Sequence, residues 1–309
     1  MTSTRVETGF RRRWENHTAF QRIRGGIKTL LGLNTGGRNF PVFPDDTFLV
    51  SYPRSGNTWT RFLIANLLFA ESNVSFLNVD YLIPDPFNIN RRALAKIPRP
   101  RLIKSHEYFD PRYKKVIYIV RDPRDVAISY YYFYLKQGFI QDGYPLDKFI
   151  RHFVEGAVDP EFASWGENVM SWIATRSGQQ GFLLLRYEDL KGNTVKELAK
   201  IGAFLEVQTD SENLERAVRL SSAEQMREME KREENQWIGT RTKRKDIRFV
   251  RTAAAGSWKS LLSRDDVAKM ENAWAPIMAA LGYELTTEPE DADISPDAIL
   301  SVAFRRGHF

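Results

Sequence analysis

The sequence predicts an α/β fold: a central parallel sheet flanked by helices, with an anion-cradling loop after its first strand. Three observations predict it. Apolar runs at Phe48–Val50, Lys114–Arg121 and Phe182–Arg186 are rich enough in buried-strand residues to be covered on both faces. Helical periodicity recurs between such runs, and strands alternating with helices build parallel sheets. The first strand passes into its helix through a tight polar turn, Pro53-Arg54-Ser55-Gly56-Asn57-Thr58. A glycine turn of this kind aims several backbone N–H groups at one point, where the positive end of the helix dipole adds its field.

The 309 residues are expected to divide into a basic lead-in (1–40), a single α/β domain (41–285) and a tail (286–309); no internal repeat or linker interrupts the middle section. In the lead-in, Arg11, Arg12, Arg13, Arg22, Arg24 and Lys28 alternate with Phe10, Trp14, Phe20, Ile23 and Ile27. This reads as a solvated helix packed on the domain, with a basic helix making peripheral membrane contact as the alternative. The net charge of +6 is the difference between 45 basic and 39 acidic residues, so the surface is mixed in sign and does not call for nucleic acid. There are no cysteines, which excludes disulfides and cysteine-ligated zinc and suits a reducing compartment. No run approaches the ~18 apolar residues of a membrane span, and the N-terminus lacks the apolar core of a signal peptide, so a cytoplasmic protein is expected.

In chain order, a helix is expected from Trp59 onward. Pro84, Pro86, Pro98 and Pro100 then forbid a long regular element, making Asp80–Pro100 a loop-rich excursion suited to a second substrate's pocket. Arg101–His106 is a short strand ending in polar residues. Lys114–Arg121 is a stronger one, stopped by Asp122 and Pro123, which open a helix over Val126–Leu135 as cap and first-turn residue. Phe182–Arg186 reads as a buried strand and Thr194–Phe204 as its helix. Ser211–Arg232 is helical and polar, whereas Lys231–Lys245, with only Trp237 and Ile238 as apolar anchors, is expected to be mobile without ligand. Arg264–Leu281 is a final amphipathic helix closed by Gly282. Tyr130–Tyr134, Trp165 and Trp172 read first as packing residues. The tail, acidic at Glu288, Glu290, Asp291 and Asp293 and basic at Arg305 and Arg306, suggests no chemistry.

Arg54 and Ser55 add a fixed cation and a hydroxyl to the cradle, as a phosphate or sulfate requires. In RDPRDVAISYYY (121–132) an arginine ends a buried strand and Ser129 follows two turns into the helix. Open parallel sheets bind ligands beyond the carboxyl ends of their strands, so Arg121 and Ser129 are placed to clasp a second phosphate. A third segment, RTAAAGSWK (251–259), is a small-residue loop led by an arginine, through which backbone can approach a ligand closely.

These segments carry a resemblance. YPRSGNTW looks like the 5′-phosphosulfate loop of sulfotransferases that use 3′-phosphoadenosine-5′-phosphosulfate (PAPS). RDPRDVAISYYYF resembles their 3′-phosphate motif, RTAAAGSWK their C-terminal RKGxxGDWK signature, and RYEDL (186–190) a further family segment, covering about Thr47 to Tyr283 in matching order. The resemblance implies a P-loop-like phosphosulfate-binding fold and an enzyme that moves a sulfonate group from PAPS to an acceptor hydroxyl by in-line displacement. The product nucleotide would be 3′-phosphoadenosine-5′-phosphate (PAP), and no metal is needed. It implies that Arg54 touches the phosphate–sulfate bridge and that Ser55, Gly56, Asn57 and Thr58 hold the 5′-phosphate. Arg121, Ser129 and Arg251 would bind the 3′-phosphate, with Thr252 and Ala253 in the same loop. Trp59, Tyr187 and Ser221 would surround the adenine. His106 stands where the cytosolic branch has its catalytic base, a role an imidazole suits because an attacking alcohol must lose a proton. Lys104 would neutralise the sulfonate oxygens, and Glu107 is the second candidate base.

The departures concern affinity and assembly. Thr252 and Ala253 replace a Lys-Gly pair, removing one 3′-phosphate cation that Lys243, Arg244, Lys245 or Arg248 would have to supply. Ala223 takes the place of an adenine-stacking phenylalanine. No short dimerisation signature follows Lys259, so the oligomeric state is left open. A P-loop kinase or NTPase would require a lysine after Gly56 and an acidic metal partner, and the first of these is missing. A binding protein that holds PAPS or PAP without transfer is the other alternative. The acceptor is expected to be a small-molecule, lipid or glycan hydroxyl, with its pocket drawn from Asp80–Pro100, Asp142–Trp165 and Lys231–Lys245.

Overall fold

The computed structural model describes residues 40–287; the basic lead-in before residue 40 and the charged tail after residue 287 lie outside it. Four strands, β1 (Thr47–Ser51), β2 (Leu102–Ser105), β3 (Lys115–Val120) and β4 (Phe182–Arg186), form one parallel sheet in the order β2-β1-β3-β4. The register pairs Phe48 with Ile103 and Val116, and Ile119 with Leu185, so all four strands end at one edge.

Alternation along the strands explains why the centres of β1 and β3 are apolar on both faces. Phe48, Val50, Val116 and Tyr118 face one core with Trp165, Trp172 and Trp274, while Leu49, Ile117 and Ile119 face a second core with Phe62, Leu63 and Ile64. Each large apolar side chain so buried contributes about 1.5–3 kcal/mol. Trp165 and Trp172 are core residues, as read from the sequence. β4 departs from expectation: it is an edge strand of the described sheet, and only Leu185 is fully buried.

Helix α1 (Asn57–Leu68) begins two residues earlier than expected. Helix α2 (Pro123–Gln137) is entered as expected, the Asp122 side chain accepting from the Arg124 N–H and Pro123 occupying the first position; Gly138, at φ 73°, closes it. Helix α3 (Trp165–Arg176) starts with a capping box between Ser164 and Glu167. Helix α4 (Thr194–Phe204) follows β4. The polar stretch read as one helix is two, α5 (Ser211–Leu220) and α6 (Ala223–Glu233). The break has a local cause: the Ser222 hydroxyl accepts from the Gln225 N–H and starts a new helix. Helix α7 (Arg264–Ala280) closes at Gly282, φ 74°.

Lys231–Lys245 is pinned, contrary to the expectation of a loose segment. Trp237 stacks on Phe76 at 4.2 Å and meets Phe249 edge-on at 4.9 Å. The Lys136 ammonium donates to the carbonyls of Arg244 (3.1 Å) and Ile247 (2.6 Å). A few well-placed anchors therefore suffice where the apolar count is low.

Ala163 adopts φ 62° and ψ −168°, a region that is essentially glycine's alone. Ala163→Gly is therefore expected to stabilise the protein by about 1 kcal/mol, relief of strain exceeding the extra chain entropy. Equilibrium urea denaturation measures this, and an unchanged or lower midpoint would contradict it.

Candidate active site

The common edge where the strands end collects the residues singled out in the sequence. The turn after β1 carries Arg54 to Thr58, His106 follows β2, Arg121 follows β3, and Tyr187 follows β4. They border one cleft of about 1,500 Å³.

At the turn, Gly56 is the N-cap of α1 at φ 94°, and no side chain caps the helix. The first N–H groups of α1 thus point toward the cleft without an intrahelical acceptor. A Cβ on Gly56 would lie 2.5 Å from Tyr187 Cδ2, so the loop is closed down onto that ring. Gly56, Asn57 and Thr58 line the cleft; Ser55 does not. Ser55 is fully buried, its N–H bonded to the Tyr52 carbonyl at 3.3 Å and its hydroxyl without a partner among the described residues. The Asn57 amide is committed to the Leu49 carbonyl and the Ser51 hydroxyl, leaving its backbone N–H for a ligand.

Arg54, itself at φ 67°, lies between the rings of Phe133 (4.7 Å) and Phe249 (4.8 Å), and its Nε donates to Ser129 Oγ at 3.2 Å. Burial, reinforced by Arg121 and Arg251, pushes its pKa down to about 10, which leaves it charged at neutral pH. Arg121 lies 4.2 Å over the Tyr187 ring and donates to the carbonyls of Arg54 and Ala254; its Nε is buried without a partner among the described residues. Arg251 stacks over Tyr132 at 4.6 Å. Three guanidiniums thus converge around one end of the cleft, an arrangement that an anion stabilises.

The loop bearing Arg251 is held by a residue the sequence reading passed over. Asp125 accepts from the N–H groups of Gly256 (2.6 Å) and Trp258 (3.1 Å) and from the Ser257 hydroxyl (3.0 Å). Its signal was the second aspartate of Arg-Asp-Pro-Arg-Asp, one helical turn from Arg121. Thr252 and Ala253 line the cleft beside Arg251. Of the four cations considered as replacements for the missing lysine, Arg244 pairs with Asp142 and Asp246, and Lys245 is bonded to the Glu234 and Thr240 carbonyls. Only Lys243 lines the cleft. Their sequence proximity to the loop did not reveal these partners.

Trp59 meets Tyr187 edge-on at 5.8 Å and donates through Nε1 to the Ser221 carbonyl. The Ser221 hydroxyl is bonded to Asn66 at 3.0 Å. Ala223 borders the same end of the cleft with Val218 and Met226, which supply apolar surface where no aromatic ring stands.

At the opposite end, His106 Nδ1 is 2.7 Å from the Ser51 carbonyl oxygen. A carbonyl only accepts, so in the neutral ring Nδ1 carries the hydrogen and Nε2 keeps its lone pair. Burial, with Lys104 adding to it, drives the pKa down to about 3. Phe162 meets the imidazole edge-on at 5.7 Å, and Asn168 donates to the backbone carbonyls of both. Lys104 is not free: it is paired with the buried Asp85 at 2.5 Å. Asp85, within the proline-rich excursion, also accepts from the Phe87 N–H. Glu107 is buried and also lines the cleft. The acceptor-side wall includes Phe87, Tyr130, Phe133, Tyr134 and the segment Val158–Phe162. The tyrosine-rich helix face therefore serves both core and cleft, and only the end of the Asp142–Trp165 region reaches the site.

Sheet, uncapped helix start and converging guanidiniums define an α/β protein of the P-loop-like class that binds a polyanionic ligand. The sequence model of the sulfotransferase domain family matches residues 44–282, and the chain belongs to this family: it is a PAPS-dependent sulfotransferase. It is 28% identical over 270 residues to mouse Sulfotransferase 1B1, covering 82% of this chain and 89% of that one. It is also 28% identical over 233 residues to rabbit amine sulfotransferase, covering 72% and 76%. The crystal structure of mouse sulfotransferase SULT7A1 complexed with PAP superposes with a TM-score of 0.61 at 23% identity, over 78% of this chain and 86% of that one, a likeness of fold. Among the described residues no helix is long and apolar enough to cross a membrane.

Proposed function

We propose that the cleft binds PAPS across two separate grips and delivers its sulfonate in line to an acceptor hydroxyl deprotonated by His106. The observation that carries this reading is the 2.7 Å contact between His106 Nδ1 and the Ser51 carbonyl, which leaves Nε2 as a hydrogen-bond acceptor. PAPS, when bound, supplies the sulfonate and leaves as PAP. The N–H groups of Gly56, Asn57 and Thr58 hold the 5′-phosphate, with Arg54 at the bridge. Ser55, being buried, shapes the turn and is not a direct ligand. Arg121, Ser129 and Arg251 hold the 3′-phosphate, with Thr252 and Ala253 allowing close approach. Trp59 and Tyr187 flank the adenine, and Ser221 sets Trp59 through its carbonyl. Arg54 cannot readily release a proton, so it acts through charge on the departing oxygen. Lys104 meets the sulfonate oxygens while remaining tethered by Asp85.

His106 is favoured over Glu107 because its free nitrogen follows from its hydrogen bond. A pKa of about 3 makes it a weak base in the free protein. Anionic charge in the cradle offsets Lys104 and Arg54 and raises its basicity when the nucleotide is in place. Residues 41–285 act as one catalytic unit, and the protein works on a small-molecule hydroxyl in the cytoplasm.

The activity test is transfer of labelled sulfonate from PAPS to an added phenol or alcohol in the presence of EDTA, with equimolar PAP formed. ATP turnover without a sulfated product would overturn the reading. A second expectation concerns pH: without nucleotide, the His106 ring resonances stay constant from about pH 8 to about pH 5, because a depressed pKa keeps the ring neutral throughout that window. With PAP bound, the titration moves upward. NMR with His106→Gln for assignment measures both, and a midpoint near the ordinary histidine value in the free protein would contradict the account.

A further inference from the structure

The acceptor end of the cleft contains a carboxylate without a counter-ion. Asp159 Oδ2 accepts from the Tyr130 hydroxyl at 2.8 Å. Its Oδ1 accepts from no described residue, and it forms no ion pair among them. Asp85 and Asp80 at this end are engaged by Lys104 and Arg61, while Glu161 borders the cleft beside Asp159 and adds to the negative charge there. Desolvation raises the Asp159 pKa to about 6, which still leaves it mostly charged at neutral pH. A half-buried carboxylate held only by a phenol and facing the cleft leaves its second oxygen for a cationic group on a ligand.

Its position relative to His106 is set by the backbone between them. The Asp159 carbonyl accepts from the Phe162 N–H at 3.0 Å, and Phe162 is the ring that meets His106 edge-on at 5.7 Å. Phe87 closes on Phe162 at 5.8 Å. An aromatic wall therefore runs from the base to the carboxylate. Tyr130 stands beside the carboxylate and fixes Oδ2 through its hydroxyl.

We propose that Asp159 is the recognition point for a cationic group on the acceptor, so that the preferred substrates are hydroxylated amines, with an aromatic or apolar body between hydroxyl and ammonium. The hydroxyl lies at His106 Nε2, the body on Phe162 and Phe87, and the ammonium on Asp159 Oδ1. The inference rests on the assignment of the cleft as a sulfotransferase acceptor site.

Isothermal titration of the PAP-loaded protein with tyramine, 4-ethylphenol and 3-(4-hydroxyphenyl)propionate tests it, because the three share a phenol and differ in charge. Tyramine is expected to bind about 10- to 100-fold more tightly than 4-ethylphenol, and the propionate more weakly than both. Asp159→Asn should bring tyramine and 4-ethylphenol to within about twofold of each other, and Asp159→Glu should retain part of the preference. PAP affinity, measured in the same samples, should stay unchanged in both variants and report on folding. Equal binding of the three ligands, failure of tyramine to bind, or a preference that survives Asp159→Asn would overturn the proposal. Failure of the wider sulfotransferase reading is distinguishable, since it would appear as loss of PAP binding and of labelled transfer to every acceptor.

Discussion

His106→Ala is expected to lower kcat/KM for transfer by about 10²- to 10⁴-fold, the range of a general base, while PAP affinity stays within about twofold. The selectivity of the loss follows from geometry. His106 leaves β2 at the acceptor end and is bonded to the Ser51 carbonyl, whereas the anion grips lie after β1 and β3. Its neutral ring adds no charge to either grip. Single-turnover assays with labelled PAPS, alongside titration with PAP, separate chemistry from binding. Parallel loss of both would remove His106 as the base and bring Glu107 forward.

Gly56→Ala is expected to weaken PAP binding by at least about 100-fold. Two costs add. At φ 94° a side chain is strained, by roughly 1–2 kcal/mol for the left-handed backbone. The new methyl would also lie 2.5 Å from Tyr187 Cδ2, on a buried ring covered by Arg121 at 4.2 Å. Relief requires Tyr187 to turn, which removes the adenine wall and displaces the Arg121 guanidinium, or requires the turn to open, which misaims the N–H groups of α1. Titration calorimetry measures the effect; an affinity within about threefold of the parent protein would contradict this picture of the loop.

β1 and β3 were legible because burial on both faces leaves apolar runs, β2 and β4 because short apolar stretches remain even at the sheet's edges, and the helices because capping residues mark their starts, as Asp122 and Pro123 do for α2. The anchors of the site were legible because they sit where strands end. What stayed hidden was pairing across long separations. Nothing near Lys104 in sequence announces that Asp85 will bind it, and nothing near Asp125 shows that three groups of the Gly256–Trp258 loop will converge on it. The break at Ser221–Ser222 was missed because both flanking stretches are individually good helix. The Lys231–Lys245 segment was misjudged because one Trp237 stacked on Phe76 outweighs the local scarcity of apolar residues. Arg244 and Lys245 are taken up by partners in the same way, since a charge read in isolation takes no account of them, whereas Lys243 lines the cleft.

The two-grip arrangement can be tested by comparing the affinities of PAP and 5′-AMP, which differ only in the 3′-phosphate, in the parent protein and in Arg121→Ala. With Arg121, Ser129 and Arg251 gathered at one end of the cleft, PAP should bind at least about 100-fold more tightly than 5′-AMP, and Arg121→Ala should remove most of that difference, weakening PAP far more than 5′-AMP, which loses only the support Arg121 gives to Tyr187 and the Arg54 carbonyl. Equal affinities in the parent protein, or an unchanged ratio in the variant, would mean that the nucleotide is not held at these two points.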